Sequence, residues 1–388
     1  MAGIFKKVVT MIDPVRQEIV LQAQTVVVKV GTNVLTAKDG RLDPARLQSL
    51  ADQIQRIRQS GRKVALVSSG AIGAGMGRLE LGKRPTDLRQ LQACAAVGQS
   101  FLMRAYQECF DQHNTHTAQI LLTASDFDNR ARYLNARNTI LTLFEWGVLP
   151  IINENDTVSV AEIKFGDNDH LAAMLTNLLQ APLLILLTVV DGLYSGDPRS
   201  DPKAEKIATV SSIDISVMEM AGNSRSALGT GGMRSKLRAA RLATAAGESV
   251  IMANGADPAA LDGIFACEPV GTLFLPHGNS IPAWKRWLGF TARPKGKLLA
   301  NDGAKAAVHR QGKSLLPVGV VEVQGTFNKG DVVSLCDSLG TEFARGLTNY
   351  SSEDACQILG LRTEKISAML GSIPYEEIVH RDNLVVTV

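Results

Sequence analysis

Cysteine is scarce and badly placed for cross-linking. Cys94, Cys109, Cys267, Cys336 and Cys356 are five in number, far apart and never paired as CxxC. An odd, scattered set excludes a disulfide framework and a thiolate zinc site, and it fits a reducing cytoplasm. Each thiol therefore reads as a small core residue, because free cysteine is among the most buried residue types. His113 and His116 have the spacing of metal ligands on a helix, but they stand in a loop-like HNTH ahead of a strand, which disfavours that use. No apolar run reaches the roughly 18 residues that span a bilayer, and the first residues lack the apolar core and cleavage site of an export signal. No polybasic run occurs, and a formal net charge of +3 is too small to announce a nucleic-acid binder. Neither GxGxxG nor GxxxxGK[ST] is found, so the dinucleotide-binding and P-loop signatures both fail.

What is present is enough chain for about two domains, since 388 residues exceed the usual size of a single core. An apolar fraction of 45% with 20% charge is ordinary for a folded protein. Through residue 275, short β-branched runs alternate with longer amphipathic stretches, the pattern of a mostly parallel open sheet sandwiched by helices, an α/β class. Strands are predicted at 25–30, 63–68, 116–122, 147–152, 183–189 and 248–253. Helices are predicted at 44–59, 87–110, 130–146, 168–179 and 234–246. The strands are almost continuously apolar, which suits burial on both faces.

After Gly271 the texture changes to Pro- and Gly-punctuated sequence holding Trp284 and Trp287, and then to short strand-like pieces such as VGVVEVQG and GDVVSLC. This predicts a linker at 276–294 and a small β-rich domain at 295–388. At the other end, Phe5, Val8, Ile12, Val15 and Ile19 recur at helical spacing, with Pro14 interrupting it or starting a turn. Residues 1–24 read as an extension that docks or contacts another subunit, in preference to a membrane-binding segment.

Two strands run into glycine turns. TVVVKV leads into Gly31, Thr32 and Asn33, and KVALVS leads into Ser69, Gly70 and AIGAGMG. Glycine after a parallel strand lets backbone N–H groups approach an anion where the next helix begins. Lys29 stands inside an apolar strand, where a charge is costly unless it is paired or functional, and near the carboxyl end, where open α/β sheets place ligands. A third cluster, LGTGGMRSK, puts Lys236 in the first turn of an Ala- and Arg-rich helix, against the helix dipole. A polyphosphate bound by Thr230, Ser235, Lys236 and the glycines explains that placement.

Carboxylates and amides gather at 153–156 and 167–169, in INEND and GDND. A hairpin over 157–168 would return Asp156 and Asn168 to one rim. There Asp156 answers an α-ammonium, and the Asn153 or Asn168 amide meets an α-carboxylate. If the reacting group is a carboxylate, with a reference pKa of about 4.3, it is already ionised at neutral pH and requires no general base. Phosphoryl transfer to it is then mainly positioning and charge stabilisation.

The order VVVKVGTNVLT, VALVSSGAIGAG, AAVGQS, YLNARNT, PIINENDTV, AEIKFGDND, DGLYSGDPR and GTGGMRSK resembles the glutamate 5-kinases of the amino-acid kinase superfamily, over the whole of residues 25–275. NDGAKAAV, GKSLLPVGVVEVQGTFNKGD and RGLTNYSS resemble the PUA domain that many of them append. The resemblance implies ATP-dependent phosphorylation of the side-chain carboxylate of L-glutamate to L-glutamyl 5-phosphate, the first step of proline biosynthesis. ATP would be the co-substrate and Mg2+ would be carried with it; the protein ligands of the metal are left unassigned.

Residue by residue, the resemblance implies Lys29, Lys236 and Asp169 as catalytic groups, with Asp169 organising the two lysines. Ser69, Gly70, Asn153, Asp156, Asp167 and Asn168 fall to the substrate, Asp167 with either substrate or the metal shell. Lys29, Thr188, Val189, Thr230, Gly231, Gly232, Met233, Arg234, Ser235 and Lys236 fall to ATP. The chain departs from the pattern at Val189, where family members often have Asp, and this bears on one side-chain contact to the nucleotide. Feedback inhibition by proline and a homo-oligomer, dimer or tetramer, are also implied.

Two rivals are weighed. An N-acetylglutamate, aspartate or carbamate kinase is disfavoured by the NEND and GDND arrangement and the PUA-like tail. An RNA-associated protein is disfavoured by charge, because residues 295–388 carry ten Lys or Arg against eleven Asp or Glu, with few aromatics to stack on bases.

Overall fold

A computed structural model of the chain describes residues 13–37, 41–158, 168–221, 232–276, 285, 287–361 and 376–387. The chain divides into two compact units, 1–126 with 131–280, and 127–130 with 281–388.

The first unit is built on an eight-stranded sheet in the order β3-β4-β2-β1-β5-β9-β10-β8. Its strands are β1 Thr25–Val30, β2 Lys63–Ser68, β3 Thr117–Leu122, β4 Leu149–Glu154, β5 Leu183–Thr188, β8 Thr209–Val210, β9 Ser249–Asn254 and β10 Thr272–Phe274. A two-stranded ribbon, β6 Leu193–Tyr194 with β7 Lys206–Ile207, lies apart. All neighbours in the large sheet are parallel except β9 and β10. Every residue of β4 and β5 is buried, as covering on both faces requires. The strand order changes direction between β1 and β5, so the carboxyl ends of β1, β2, β4 and β5 frame the crevice where open α/β sheets bind ligands.

The helices of this unit are α1 Pro14–Gln22, α2 Thr32–Leu35, α3 Pro44–Gln59, α4 Ala71–Arg78, α5 Leu88–Asp111, α6 Ala124–Asp128, α7 Arg130–Glu145, α8 Asn168–Leu179, α9 Ile215–Met220, α10 Met233–Ala245 and α11 Ala260–Phe265, with the end of α6 and the start of α7 passing into the second unit. Four of them start on an aspartate cap: Asp13, Asp43 and Asp87 each accept from a backbone N–H two residues on, and Asp214 from one three residues on. In α1 and α3 a proline follows the cap, where its missing N–H costs nothing.

One packing contact positions the site. A Cβ on Gly98 of α5 would lie 1.8 Å from the Ala71 carbonyl oxygen, and one on Gly75 of α4 would lie 1.8 Å from that of Cys94. Glycine at both positions lets the two helix backbones touch, which brings the middle of α5 against the first turn of α4.

Three expectations change. β4 continues through Asn153 and Glu154 instead of ending at Ile152, because both residues pair with β3 at Leu121 and Leu122. The stripe expected along the N-terminal helix is out of phase: Val15 is 45% exposed, while Arg16 and Val20 are buried. Arg16 takes the inward place because its guanidinium donates to the carbonyls of Val270 at 2.6 Å, Ala208 at 3.1 Å and Gly271 at 3.3 Å. Of the cysteines, Cys94, Cys109 and Cys336 are buried, but Cys267 is half-buried and Cys356 exposed. Most of the hairpin expected over 157–168 falls at 159–167, outside the described residues.

The second unit carries a five-stranded sheet in the order β12-β11-β13-β14-β15, formed by β11 Gly296–Ala300, β12 Val320–Gly325, β13 Val332–Cys336, β14 Glu342–Thr348 and β15 Val379–Val386. Helices α12 Asp302–Gln311 and α13 Ser352–Gln357 accompany it, over a core that includes Leu298, Phe327, Leu335, Phe343 and Ile378. Residues 127–130 also belong here. The Trp287 indole N–H donates to the Phe127 carbonyl at 2.8 Å, and the Arg293 N–H donates to Asp128 Oδ1 at 2.9 Å.

Candidate active site

Lys29 lies at the switch in strand order, level with Val67 of β2 and Leu186 of β5. Its burial is resolved by a carboxylate: Lys29 Nζ is 2.6 Å from Asp169 Oδ1. The other oxygen, Asp169 Oδ2, is 3.1 Å from Lys236 Nζ on α10. The Ser235 hydroxyl lies 3.0 Å from the same oxygen. Asp169 is 1% exposed, Lys29 5% and Lys236 7%, so one acid joins two cations almost without water. Burial alone would raise the Asp169 carboxyl, but the charges of Lys236 and Lys29, with their hydrogen bonds, hold it well below the usual carboxylate range. Its place in the first turn of α8 adds a favourable helix dipole. Asp169 holds the two lysines side by side, one on each of its oxygens.

Next to it runs a neutral chain of side chains. Asn153, 2% exposed on β4, donates from Nδ2 to Gln99 Oε1 of α5 at 2.8 Å. Asn153 Oδ1 accepts from the Glu154 backbone N–H at 2.9 Å and from Asn168 Nδ2 at 3.0 Å. Asn168 Nδ2 also donates to Ser69 Oγ at 2.9 Å. Both N–H groups of the Asn168 amide are thus engaged, so the donor expected to meet an α-carboxylate from Asn168 is spent inside the protein. Its acceptor, Oδ1, is what it has left to offer.

The remaining expected residues sort by position. Thr188 ends β5, is 6% exposed and accepts the Gly255 N–H at 2.8 Å through its carbonyl. Val189 follows it, 49% exposed. Gly232 caps α10, whose first turn carries Met233, Arg234 and Ser235, with Arg234 exposed. Gly70 caps α4 with φ of 113°, a backbone that favours glycine. Asp156 is half-buried two residues past β4. Asp167, Thr230 and Gly231 lie outside the described residues. Two turn amides are consumed by the sheet, as Gly31 N–H donates to Leu187 and Ser69 N–H to Val30. Gln99 was not foreseen; the one signal was the polar residue that follows Gly98 in AAVGQS.

The sequence matches the amino acid kinase family over residues 24–254 and the PUA domain over 296–370. It is 48% identical over 371 residues to the glutamate 5-kinase of Geobacter sulfurreducens, an alignment covering 96% of this chain and all of that one. The chain belongs to the glutamate 5-kinase family. The glutamate 5-kinase of Desulfotalea psychrophila is 48% identical over 372 residues, covering 96% of this chain and 99% of its own. Among solved structures, carbamate kinase from Giardia lamblia bound to AMP-PNP aligns with a TM-score of 0.48 at 19% identity, covering 66% of this chain and 99% of that one. Every member of the charged cluster and of the amide chain falls within the span matched to the amino acid kinase family.

Proposed function

We propose that the chain transfers the γ-phosphoryl group of ATP to the side-chain carboxylate of L-glutamate, giving L-glutamyl 5-phosphate and ADP for proline biosynthesis. The observation that carries this is the convergence of Lys29 and Lys236 on Asp169, at 2.6 and 3.1 Å, at the crevice end of the sheet. The acceptor carboxylate is ionised at neutral pH, with a reference pKa of about 4.3, so it attacks phosphorus without help from a base. An oxygen–phosphorus bond forms as the bond to the β-phosphate oxygen breaks. The obstacle is repulsion between two anions, and fixed positive charge in a dry site lowers it.

Lys29 and Lys236 serve that charge, and Asp169 keeps them apart and aimed. Thr188, Val189 and the sequence from Thr230 to Lys236 receive the nucleotide. Ser69, Gly70, Asn153, Asp156 and Asn168 receive the amino acid, with the α-ammonium paired to Asp156. Mg2+ enters on the ATP phosphates; among the described residues no three His, Cys, Asp or Glu are grouped to hold a metal ion. Asp167 serves either the substrate or the metal shell. In the same proposal the protein works in the cytoplasm as a homo-oligomer and is inhibited by proline, which sedimentation and a proline titration would check. Among the described residues no helix is long and apolar enough to cross a membrane.

The deciding experiment couples ADP release to hydroxylamine trapping of the acyl phosphate, with glutamate, N-acetylglutamate and aspartate compared. Hydroxamate is expected from glutamate, with little from the other two. ADP release with no hydroxamate from glutamate would sink the proposal.

A further inference from the structure

The hydrogen bonds around Asn153 have one consistent polarity. A backbone N–H can only donate, so the Asn153 atom 2.9 Å from the Glu154 N–H is Oδ1. Its other terminal atom is then Nδ2, and the Gln99 atom 2.8 Å from it is the acceptor Oε1. The Asn168 atom 3.0 Å from Asn153 Oδ1 must likewise be a donor, Nδ2. That leaves Asn168 Oδ1 as a buried oxygen with no hydrogen-bond partner among the described residues. Amide orientation is usually inferred from the surrounding network, and here a single main-chain donor fixes three side chains in turn.

A buried acceptor without a donor costs free energy that a ligand carrying N–H groups recovers. Asn168 stands beside Ser69, at the carboxyl ends of β2 and β4. Gln99 is held in reach of Asn153 by the helix contact at Gly98, where the α5 backbone rests on Ala71 of α4. We propose that Gln99 is a positioning residue that, by holding Asn153 Nδ2, steadies the Asn168 amide so that Oδ1 faces the substrate and accepts a hydrogen bond from its α-ammonium. This rests on glutamate being the substrate, and it makes Asn168 a second recogniser of the ammonium beside Asp156.

Without the Gln99 acceptor, Asn153 Nδ2 is left buried and unpaired; turning over would set that donor against the Glu154 N–H, so the side chain instead stays on that one main-chain bond and is held less firmly. A loosened Asn153 Oδ1 no longer fixes the Asn168 amide that donates to it, and Asn168 Oδ1 loses its aim at the cation. Gln99→Met removes the acceptor at nearly constant length, whereas Gln99→Glu keeps an oxygen in place. Gln99→Met is expected to raise the glutamate KM roughly tenfold, the equivalent of one lost buried hydrogen bond, with kcat and the ATP KM within about twofold. Gln99→Glu should return the glutamate KM to within roughly threefold of the parent, because the position of the acceptor oxygen matters and not the charge it carries.

Glutarate, which lacks the ammonium, separates positioning from general disturbance. Its inhibition constant should move less than about twofold in either variant, because there is no cation to misread. An unchanged glutamate KM in Gln99→Met, a Gln99→Glu variant as impaired as Gln99→Met, or a glutarate constant that rises in step with the glutamate KM would each overturn the inference alone. A parent protein that forms no hydroxamate from glutamate would overturn the substrate assignment, and this inference with it.

Discussion

The charged cluster and the amide chain differ in how they hold a ligand. Lys29, Asp169 and Lys236 are three buried charges within 3.1 Å contacts, strong and nearly indifferent to orientation. Gln99, Asn153, Asn168 and Ser69 are neutral, and each of their hydrogen bonds is worth only about 1 kcal/mol, but each has a direction. The cluster supplies charge for the reaction, and the chain tells one end of a small zwitterion from the other. They meet at adjacent residues, Asn168 and Asp169, in the first turn of α8. One helix start thus serves both, and damage to one part should be distinguishable from damage to the other by which kinetic constant moves.

The largest effect should follow Asp169→Asn. It removes the buried carboxylate that both ammonium groups share, which costs about 3–5 kcal/mol of stability and shows in thermal melting. The same change should lower kcat by a factor of about 100 or more, because the lysines lose their anchor. The pH dependence has a definite sign. Asp169 is depressed in the folded protein, so its contribution is fully present above the unfolded value of about 3.9 and fades as pH falls through the folded value. In denaturant titrations the gap between parent and variant should therefore be constant at neutral pH and narrow only in strong acid. A gap that closes near pH 6 would contradict this.

Gly98→Ala comes next, since the new Cβ would lie 1.8 Å from the Ala71 carbonyl oxygen and 2.3 Å from the Gly75 nitrogen. Overpacking of this kind costs about 1–3 kcal/mol, and the displaced α5 should raise the glutamate KM more than the ATP KM. Asp156→Asn should raise the glutamate KM roughly tenfold or more through the lost charge-assisted bond, with the ATP KM nearly unchanged. Equal changes in both constants would remove Asp156 from the amino-acid side. Ser235→Ala is the mildest: it deletes a 3.0 Å bond to Asp169 and should cost about 1 kcal/mol, read as a small fall in kcat with KM values held.

Much of this was legible in the chain. A lysine inside VVVKV and another in the first turn of an Ala-rich helix are both penalised unless something answers them, and Asp169 answers both. The helix bounds Pro44–Gln59 and Asn168–Leu179 agree with the sequence pattern because a cap or a change in apolar period marks their ends. Asn153 and Glu154 were read as the end of a strand, since polar residues usually close an apolar run, yet the β3 edge pairs with them. Gln99 was hidden for a related reason. The helical period of α5 marks only apolar positions such as Leu102, Tyr106 and Phe110, and a polar group that faces another element leaves no trace in it. Arg16 misled in the same way, because an arginine turned inward onto three carbonyls looks like a surface residue in the sequence.

The most direct test compares hydroxamate formation from glutamate and ATP by the parent, Gln99→Met and Asp169→Asn as glutamate is raised to saturation. Gln99→Met should climb to nearly the parent rate, because only recognition is weakened, while Asp169→Asn should stay far below it at every concentration. Both variants recovering, or neither, would contradict the division between charge and direction.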